Sequence, residues 1–453
     1  MPRKPFNVLA EEIGPIQKIA RLSWPIVISM ALHNSYSIVD MYWVASLGKA
    51  EIAAVTLAGI LFFVMFSISQ IFGTGVHALI ARACGAGHVN RAGMILRDGI
   101  LTALIVGIAA GFVLWDFPAL IYSLLGAEPE VIDTGIPYLR IMATGFAFTL
   151  PQFTLSAGFR ATGDMTTAMV LTGVTVVINI ILDPILIFGV GPVPALGLAG
   201  AAWATVISVV IAFLAGIAVL RNHHSLHGFR VYKRVSFGVI REMFVIGLPS
   251  GAHYMLLSLN QTIMIRMVAE FGTVVIAAAG IGTRVTHLAF LPCIGIGAAT
   301  ATLVGQYLGA DKPRQAAFHV RRALQINAAV TAFICLLIAL FPEWFMRIFT
   351  DAPEVIATGR IFLRIFAAGF MFVSTIIVLT RVFQGAGDTV WPALVVLCRL
   401  GVFLIAGYAL GWLWNLDELG VWLAYAGASA VQLLVIAWIY RLGTWKKRQL
   451  KET

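Results

Sequence analysis

Asp40 and Asp183 each close a long apolar run, SWPIVISMALHNSYSIVD and VLTGVTVVINIILD, the second followed directly by Pro184. A carboxylate at membrane depth is unfavourable by roughly 2.5–3.5 kcal/mol on insertion scales, so such groups face a cavity and mark an ion or proton path. Ser29, His33, Tyr36 and Asp40 are spaced +4, +7 and +11, which places them on one face of a helix. Thr172, Asn179 and Asp183 repeat that spacing, with Val176 in the remaining place. If the two stripes face each other, Tyr36 and Asn179 supply donors that steady a carboxylate or pass a proton. Either acid could then load and release H⁺. Na⁺ accepts the same oxygen ligands, at Asp40, Asn179 and Asp183, and oxygen chemistry alone does not separate the two ions. His33 reads either as a histidine satisfied between helices or as a proton relay. Pro184 removes a backbone N–H, which bends the helix or leaves a carbonyl of the preceding turn available as a ligand.

The elements that must carry these groups are membrane helices. The chain has 453 residues, 60% hydrophobic and 11% charged, and its mean hydropathy is +0.92. That composition excludes a soluble fold of this size. Hydropathy and helix breakers predict twelve spans, at 16–45, 51–76, 92–114, 131–155, 164–189, 195–219, 239–268, 274–305, 316–341, 354–380, 388–413 and 418–442. Asp40 and Asp183 each lie 19 residues from a charge at the expected cytoplasmic end of their helix, Arg21 and Asp164. At about 1.5 Å per residue the two acids share one depth, as one site requires.

The net charge of +10 invites a nucleic-acid reading, which its distribution excludes. Lys and Arg collect at the N terminus, the even-to-odd loops and the C terminus, while the opposite loops carry Glu51, Asp116, Glu128, Asp133, Glu343, Asp351 and Asp417. This asymmetry predicts a multi-pass protein with both termini cytoplasmic. Residues 1–15 are basic and then acidic, and no small-residue cleavage site follows the first apolar stretch, so the first span is expected to be retained. Four scattered cysteines predict neither a disulfide framework nor a metal site.

The two halves align at an offset of 224 residues: Pro25 on Pro249, Gly85-Ala86 on Gly309-Ala310, Pro129-Glu130-Val131-Ile132 on Pro353-Glu354-Val355-Ile356, and Gly163-Asp164 on Gly387-Asp388. Six helices per repeat is an even number, so both halves enter the membrane from the same side, related by an axis along the membrane normal. The expected domains are an N-terminal lobe (1–220), a cytoplasmic linker (221–238) and a C-terminal lobe (239–453). Within the linker, His223, His224 and His227 read as solvated residues rather than as a metal site. The acids are not repeated, since Asp40 falls on Met264, Asp183 on Gly407, Asn179 on Phe403 and Tyr36 on Asn260. Ion coupling is therefore expected inside the first lobe.

Arg399 lies mid-helix with no acid at i±3 or i±4. It either lines a cavity and binds anionic groups or is capped by carbonyls of neighbouring helices. Arg284 and His287 are expected to hold helix packing, and Glu270 to be a loop residue. No Gly-rich phosphate loop, His/Glu metal spacing or nucleophile elbow is present, so no enzyme is expected.

With its parallel 6+6 repeat, GFRATGD and FQGAGD after the fourth and tenth helices, NIILDP on the fifth and LGLAGAAWAT on the sixth, the chain resembles the multidrug and toxic compound extrusion (MATE) family over essentially its whole length. YSIVD together with NIILDP is similar to the DinF-like branch. The sodium-type NorM branch carries acids on the tenth helix, where this chain reads FMFVSTIIVLTRVFQG. The resemblance implies that Tyr36, Asp40, Asn179 and Asp183 form the coupling site, joined by a threonine of the sixth helix for which Thr205 is the candidate. It also implies a first helix that bends near Pro25, a V-shaped cavity between lobes, and export of amphipathic, mostly cationic compounds in exchange for H⁺ or Na⁺ without a cofactor. The expected setting is the cell inner membrane, as a monomer. The competing reading within the same superfamily is a lipid-linked oligosaccharide flippase. Such a protein presents several cations to its cavity, whereas here Arg399 is the clear mid-helix candidate. A scaffold or channel would leave two buried acids unexplained.

Overall fold

The computed structural model describes residues 8–9, 12–226, 229 and 235–448, so that His227 of the expected linker lies outside the described residues. Among these residues the only regular secondary structure is helical, without strands. Twelve helices have 19 residues or more: α1 (Pro15–Ala45), α2 (Lys49–Gly85), α3 (Val89–Asp116), α4 (Pro129–Ala161), α5 (Met165–Phe188), α6 (Leu198–Leu220), α7 (Phe237–Ala269), α8 (Thr273–Gly309), α9 (Pro313–Leu340), α10 (Pro353–Ala386), α11 (Val390–Tyr408, continued by a π turn, Ala409–Leu413) and α12 (Asp417–Leu442). Nine of them are apolar and long enough to cross a membrane. The exceptions, α1, α4 and α7, carry polar residues in their interiors, and α1 contains the stripe from His33 to Asp40. The protein is a polytopic helical membrane protein. At 37 residues α2 and α8 are each about 55 Å long, well beyond a hydrocarbon core of about 30 Å.

The repeat extends to backbone conformation. Gly163 (φ 90) and Gly387 (φ 78) end α4 and α10 in the left-handed region, and the following Asp164 and Asp388 lead into the next helix. Asp164 caps α5, accepting from the Thr167 amide at 3.0 Å and the Thr167 hydroxyl at 2.6 Å. Gly87 (φ 78) corresponds to Asp311 (φ 54), so the turn keeps its geometry even where the side chain does not favour it.

Contacts gather the chain into two compact units, one of Ile28–Gly247 and one of Leu248–Gln449 together with Ala10–Val27, apart from the terminal stretches. Whereas the expected lobes, 1–220 and 239–453, keep each long helix whole, these boundaries fall within α1 and α7, each within two residues of a proline, Pro25 or Pro249. In the first unit α4 is the central helix and packs on α2, α3, α5 and α6. In the second its repeat equivalent α10 packs on α8, α9 and α12. Small residues permit these approaches. On α3, Gly107 and Gly111 sit against the backbone carbonyls of Phe146 and Ala143 on α4, with no room for a Cβ. Gly135 receives the fully buried Tyr122 of the short helix Pro118–Leu124, and its counterpart Gly359 receives Met346 of Pro342–Arg347. The two halves share a seat and fill it with different side chains.

Candidate functional site

The stripes of α1 and α5 meet α6 inside the first unit. The Tyr36 hydroxyl lies 3.2 Å from Thr205 Oγ1, and Asn179 Nδ2 donates to the same oxygen at 3.3 Å. One threonine on α6 thus bridges the two stripes. Asn179 is 1% exposed and Asp183 fully buried, whereas Tyr36 and Asp40 are half-buried. Asp40 and Asp183 are within electrostatic reach of one another.

The hydrogen-bond inventory at the buried end is one-sided. Asn179 Oδ1, Asp183 Oδ1 and Asp183 Oδ2 are all shielded from solvent, and none has a hydrogen-bond partner among the described residues. All three are acceptors. An ionised carboxylate supplies no hydrogen, and the one donor near it, the Asn179 amide, reaches towards Asp183 without hydrogen-bond geometry while donating to Thr205, so this corner is short of donors or of a cation. Pro184, inside α5, adds to the deficit because its missing N–H leaves the Ile180 carbonyl without its usual helical donor.

A further phenol belongs to this neighbourhood. Tyr138 on α4 is buried and within electrostatic reach of Asp40, Tyr36 and Asp183. It was not legible in the sequence, because its helix shows no polar stripe pointing to it. A buried tyrosine on the central helix of the unit is the only signal that could have found it. Other members of the expected stripes are not drawn in. His33 is exposed and stacks obliquely on Tyr36, with ring centroids 5.8 Å apart. The Thr172 hydroxyl returns to its own helix, donating to the Ala168 carbonyl at 3.1 Å.

Outside the membrane-spanning segments, Asp164 is tied to the chain that follows α6. His223 Nε2 stands 3.5 Å from its Oδ2, an ion-pair separation rather than a hydrogen bond, and the His223 ring packs on Phe159. Burial alone would raise the Asp164 carboxyl, but His223 and the two bonds from Thr167 outweigh it and hold it below the usual carboxylate range. Its repeat partner Asp388 moves the other way: burial raises it against the opposing pull of Arg448 and Thr444. His223 is therefore a buried partner of Asp164 rather than the solvated residue expected.

In the second unit Arg399 is 5% exposed and lies over the Tyr425 ring at 4.5 Å. Backbone carbonyls do not cap its Nε and Nη2, which have no partner among the described residues. Arg284 and His287, expected to hold helix packing, are both exposed, and Glu270 is an exposed residue beyond the end of α7. No cluster of three His, Cys, Asp or Glu side chains suited to a metal ion occurs among the described residues.

The sequence model of the MatE family matches residues 25–185 and 249–409. Among curated proteins, the chain is 27% identical over 432 residues to the probable multidrug resistance protein YoeA of Bacillus subtilis (strain 168), covering 94% of this chain and 93% of that one. It is 24% identical over 412 residues to a FAD transporter of Shewanella oneidensis, covering 89% of each. Among solved structures, a multidrug resistance MATE family transporter of the MOP superfamily in an outward-facing conformation superposes with a TM-score of 0.87 at 23% identity, covering 96% of this chain and 97% of that one.

Proposed function

Because the chain belongs to the MatE family, we propose that it is a secondary active antiporter. It exports amphipathic, mostly cationic organic compounds across the cell inner membrane in exchange for H⁺, as a monomer with both termini cytoplasmic. Support for the substrate class comes from relatives named as multidrug resistance proteins. Support for the coupling comes from a single observation, the three buried acceptor oxygens of Asn179 and Asp183 that meet no hydrogen-bond partner among the described residues. Protonating Asp183 turns one acceptor into a donor, and Asn179, one turn away on the same helix, offers the oxygen to receive it. Deprotonation restores a charge that burial disfavours, so the ion-free state is the strained one and draws H⁺ back.

In this reading Asp40 is the partly exposed entry to the site and Asp183 its buried end, while Tyr36, Thr205 and Asn179 form the bridge between them, with His33 at the exposed edge. Residues 1–220 and 239–453 are two lobes joined by the 221–238 linker, and they rock to alternate access. Pro25 supplies the bend in α1. Its ring removes one helical hydrogen bond, which makes that turn the compliant one. Na⁺ bound by Asp40, Asn179, Asp183 and Thr205 would satisfy the same oxygens, and the deciding experiment is transport by the purified chain in vesicles. Efflux of an amphipathic cation such as ethidium should follow an imposed pH gradient in sodium-free buffer. Efflux that needs a sodium gradient and ignores pH would transfer the assignment to Na⁺. The absence of cation efflux under either gradient would sink the export reading.

A further inference from the structure

In its charges the second unit is the reverse of the first. The helices α8 to α11 carry no acid beyond the first turn of α10, and those of α12 are confined to its first turn. Yet Arg399, mid-way along α11, is a buried cation that cannot be deprotonated. Its Nε and Nη2 reach no acceptor among the described residues. A second cation, Arg381, shares the neighbourhood: the buried imidazole of His253 on α7, with Nδ1 3.1 Å from the Pro392 carbonyl, lies within electrostatic reach of both Arg381 and Arg399. A buried guanidinium with unpartnered donors and no carboxylate is strongly disfavoured unless a counter-charge arrives from outside the chain. Stacking on Tyr425 offsets only part of that cost.

What could bring the counter-charge is indicated by the cavity beside Tyr425. The Tyr425 hydroxyl donates to Gln261 Oε1 at 3.3 Å, which fixes the phenol with Arg399 over its ring. Tyr425 and Gln261 also line a cavity walled by Phe290, Phe366, Phe370 and Trp422, entirely within the second unit. Phe366 and Phe370, one turn apart on α10, are stacked at 5.1 Å, and Phe290 meets Phe370 edge-on at 4.7 Å. Such walls take an aromatic ring. His287 is the titratable side chain of the lining, and Arg399, not itself a lining residue, lies over the ring of Tyr425.

We propose that this cavity is a binding site for an aromatic organic acid, with the ring among the phenylalanines of α8 and α10 and the monoanionic head reaching Arg399 past Tyr425. It extends the transport reading to zwitterionic and acidic amphipaths, but stands independently of ion coupling in the first unit.

The test is calorimetric titration of the purified full-length chain in detergent with 1-naphthoate and with its uncharged isostere 1-naphthamide. Naphthoate should bind at least about tenfold more tightly than the amide. Arg399→Met should abolish that preference without weakening the amide, and Asp40→Asn should leave it intact, which separates this site from proton coupling. Because Arg399→Met removes an uncompensated buried charge, its thermal midpoint should equal or exceed that of the parent. Arg399→Gln replaces it should the methionine variant fail to fold. Equal affinity for acid and amide, or an acid preference that survives loss of the guanidinium, overturns the proposal. Chloride that protects Arg399 as well as naphthoate does would make the occupant an inorganic ion, and the organic-acid site would fall.

Discussion

At the scale of single residues, Asp183, Asn179 and Thr205 carry the proposed coupling in the first unit. Asp183→Asn and Asp40→Asn are each expected to abolish coupled efflux while leaving the protein folded, since neutralising a buried charge favours insertion. Drug accumulation assays paired with thermal unfolding in detergent check this, and full resistance conferred by either variant would remove the shared-site hypothesis. Thr205→Val keeps the volume and deletes the oxygen to which Asn179 donates and next to which Tyr36 lies. A hydrogen bond of this kind is worth about 0.5–1.5 kcal/mol, so apparent proton affinity in the efflux assay should fall by up to about tenfold. An unaltered pH dependence would show that the bridge is incidental. Asp40, Asp183, Tyr36 and Asn179 were legible as a constellation because helical spacing is a one-dimensional property. Thr205 and Tyr138 were not to be found from the residues alone: Thr205 lies 169 residues from Tyr36, with no periodicity joining them.

At the scale of elements, the start of α5 and the seam between α3 and α4 decide how the site is held. Asp164 caps the helix that carries Asn179 and Asp183, and replacing it with Asn keeps a cap but loses the carboxylate. Its folded-state pKa lies below the unfolded value of about 3.9, so its stabilising contribution is fully present above about pH 4 and is lost as pH falls through the depressed folded value. The thermal midpoints of the parent and Asp164→Asn should therefore differ at pH 6 and converge in acid. A gap that widens on acidification would contradict the assignment. On α3, the spacing of Gly107 and Gly111 allows α4 to pack backbone to backbone. A Cβ at Gly107 would stand 2.5 Å from the Phe146 carbonyl, so Gly107→Ala should destabilise by about 1–3 kcal/mol, read as a lower unfolding midpoint.

At the scale of the whole molecule, the proposed proton coupling through two acids in one half makes the stoichiometry a testable quantity. Exchanging one proton for one monovalent cation moves no net charge, and a unit of pH then supports about tenfold accumulation. If Asp40 and Asp183 each release a proton, one net charge moves inward per cycle, adding about 2.3 kcal/mol per 100 mV. Export of a monovalent cation should then accelerate when the interior is made negative at fixed ΔpH. Indifference to voltage would mean that one proton moves and the second carboxylate tunes the first. The asymmetry of the halves should also resist transplantation. Met264→Asp or Gly407→Asp introduced into an Asp40→Asn, Asp183→Asn background should not restore efflux, because Met264 is packed in an apolar cluster and the counterpart of Asn179 is the fully buried Phe403. Recovery of efflux would make the asymmetry incidental.

Hydropathy, the offset of 224 residues and the absence of acids opposite Asp40 and Asp183 are properties of order along the chain. The membrane class, the twelve helices, the repeat and its one-sided acids could therefore be read without coordinates. The places where α1 and α7 divide between compact units, the buried seat of Tyr122 on Gly135, the meeting of His223 with Asp164 and the stacking of Arg399 on Tyr425 could not. Each depends on which faces of distant helices come into contact. At Gly107, Gly111 and Gly135 the approach is permitted by the side-chain atoms that are missing, a condition that involves both partners at once. The same packing left acceptor oxygens of Asn179 and Asp183 without a partner among the described residues, a deficit that exists only once the surrounding helices have excluded water.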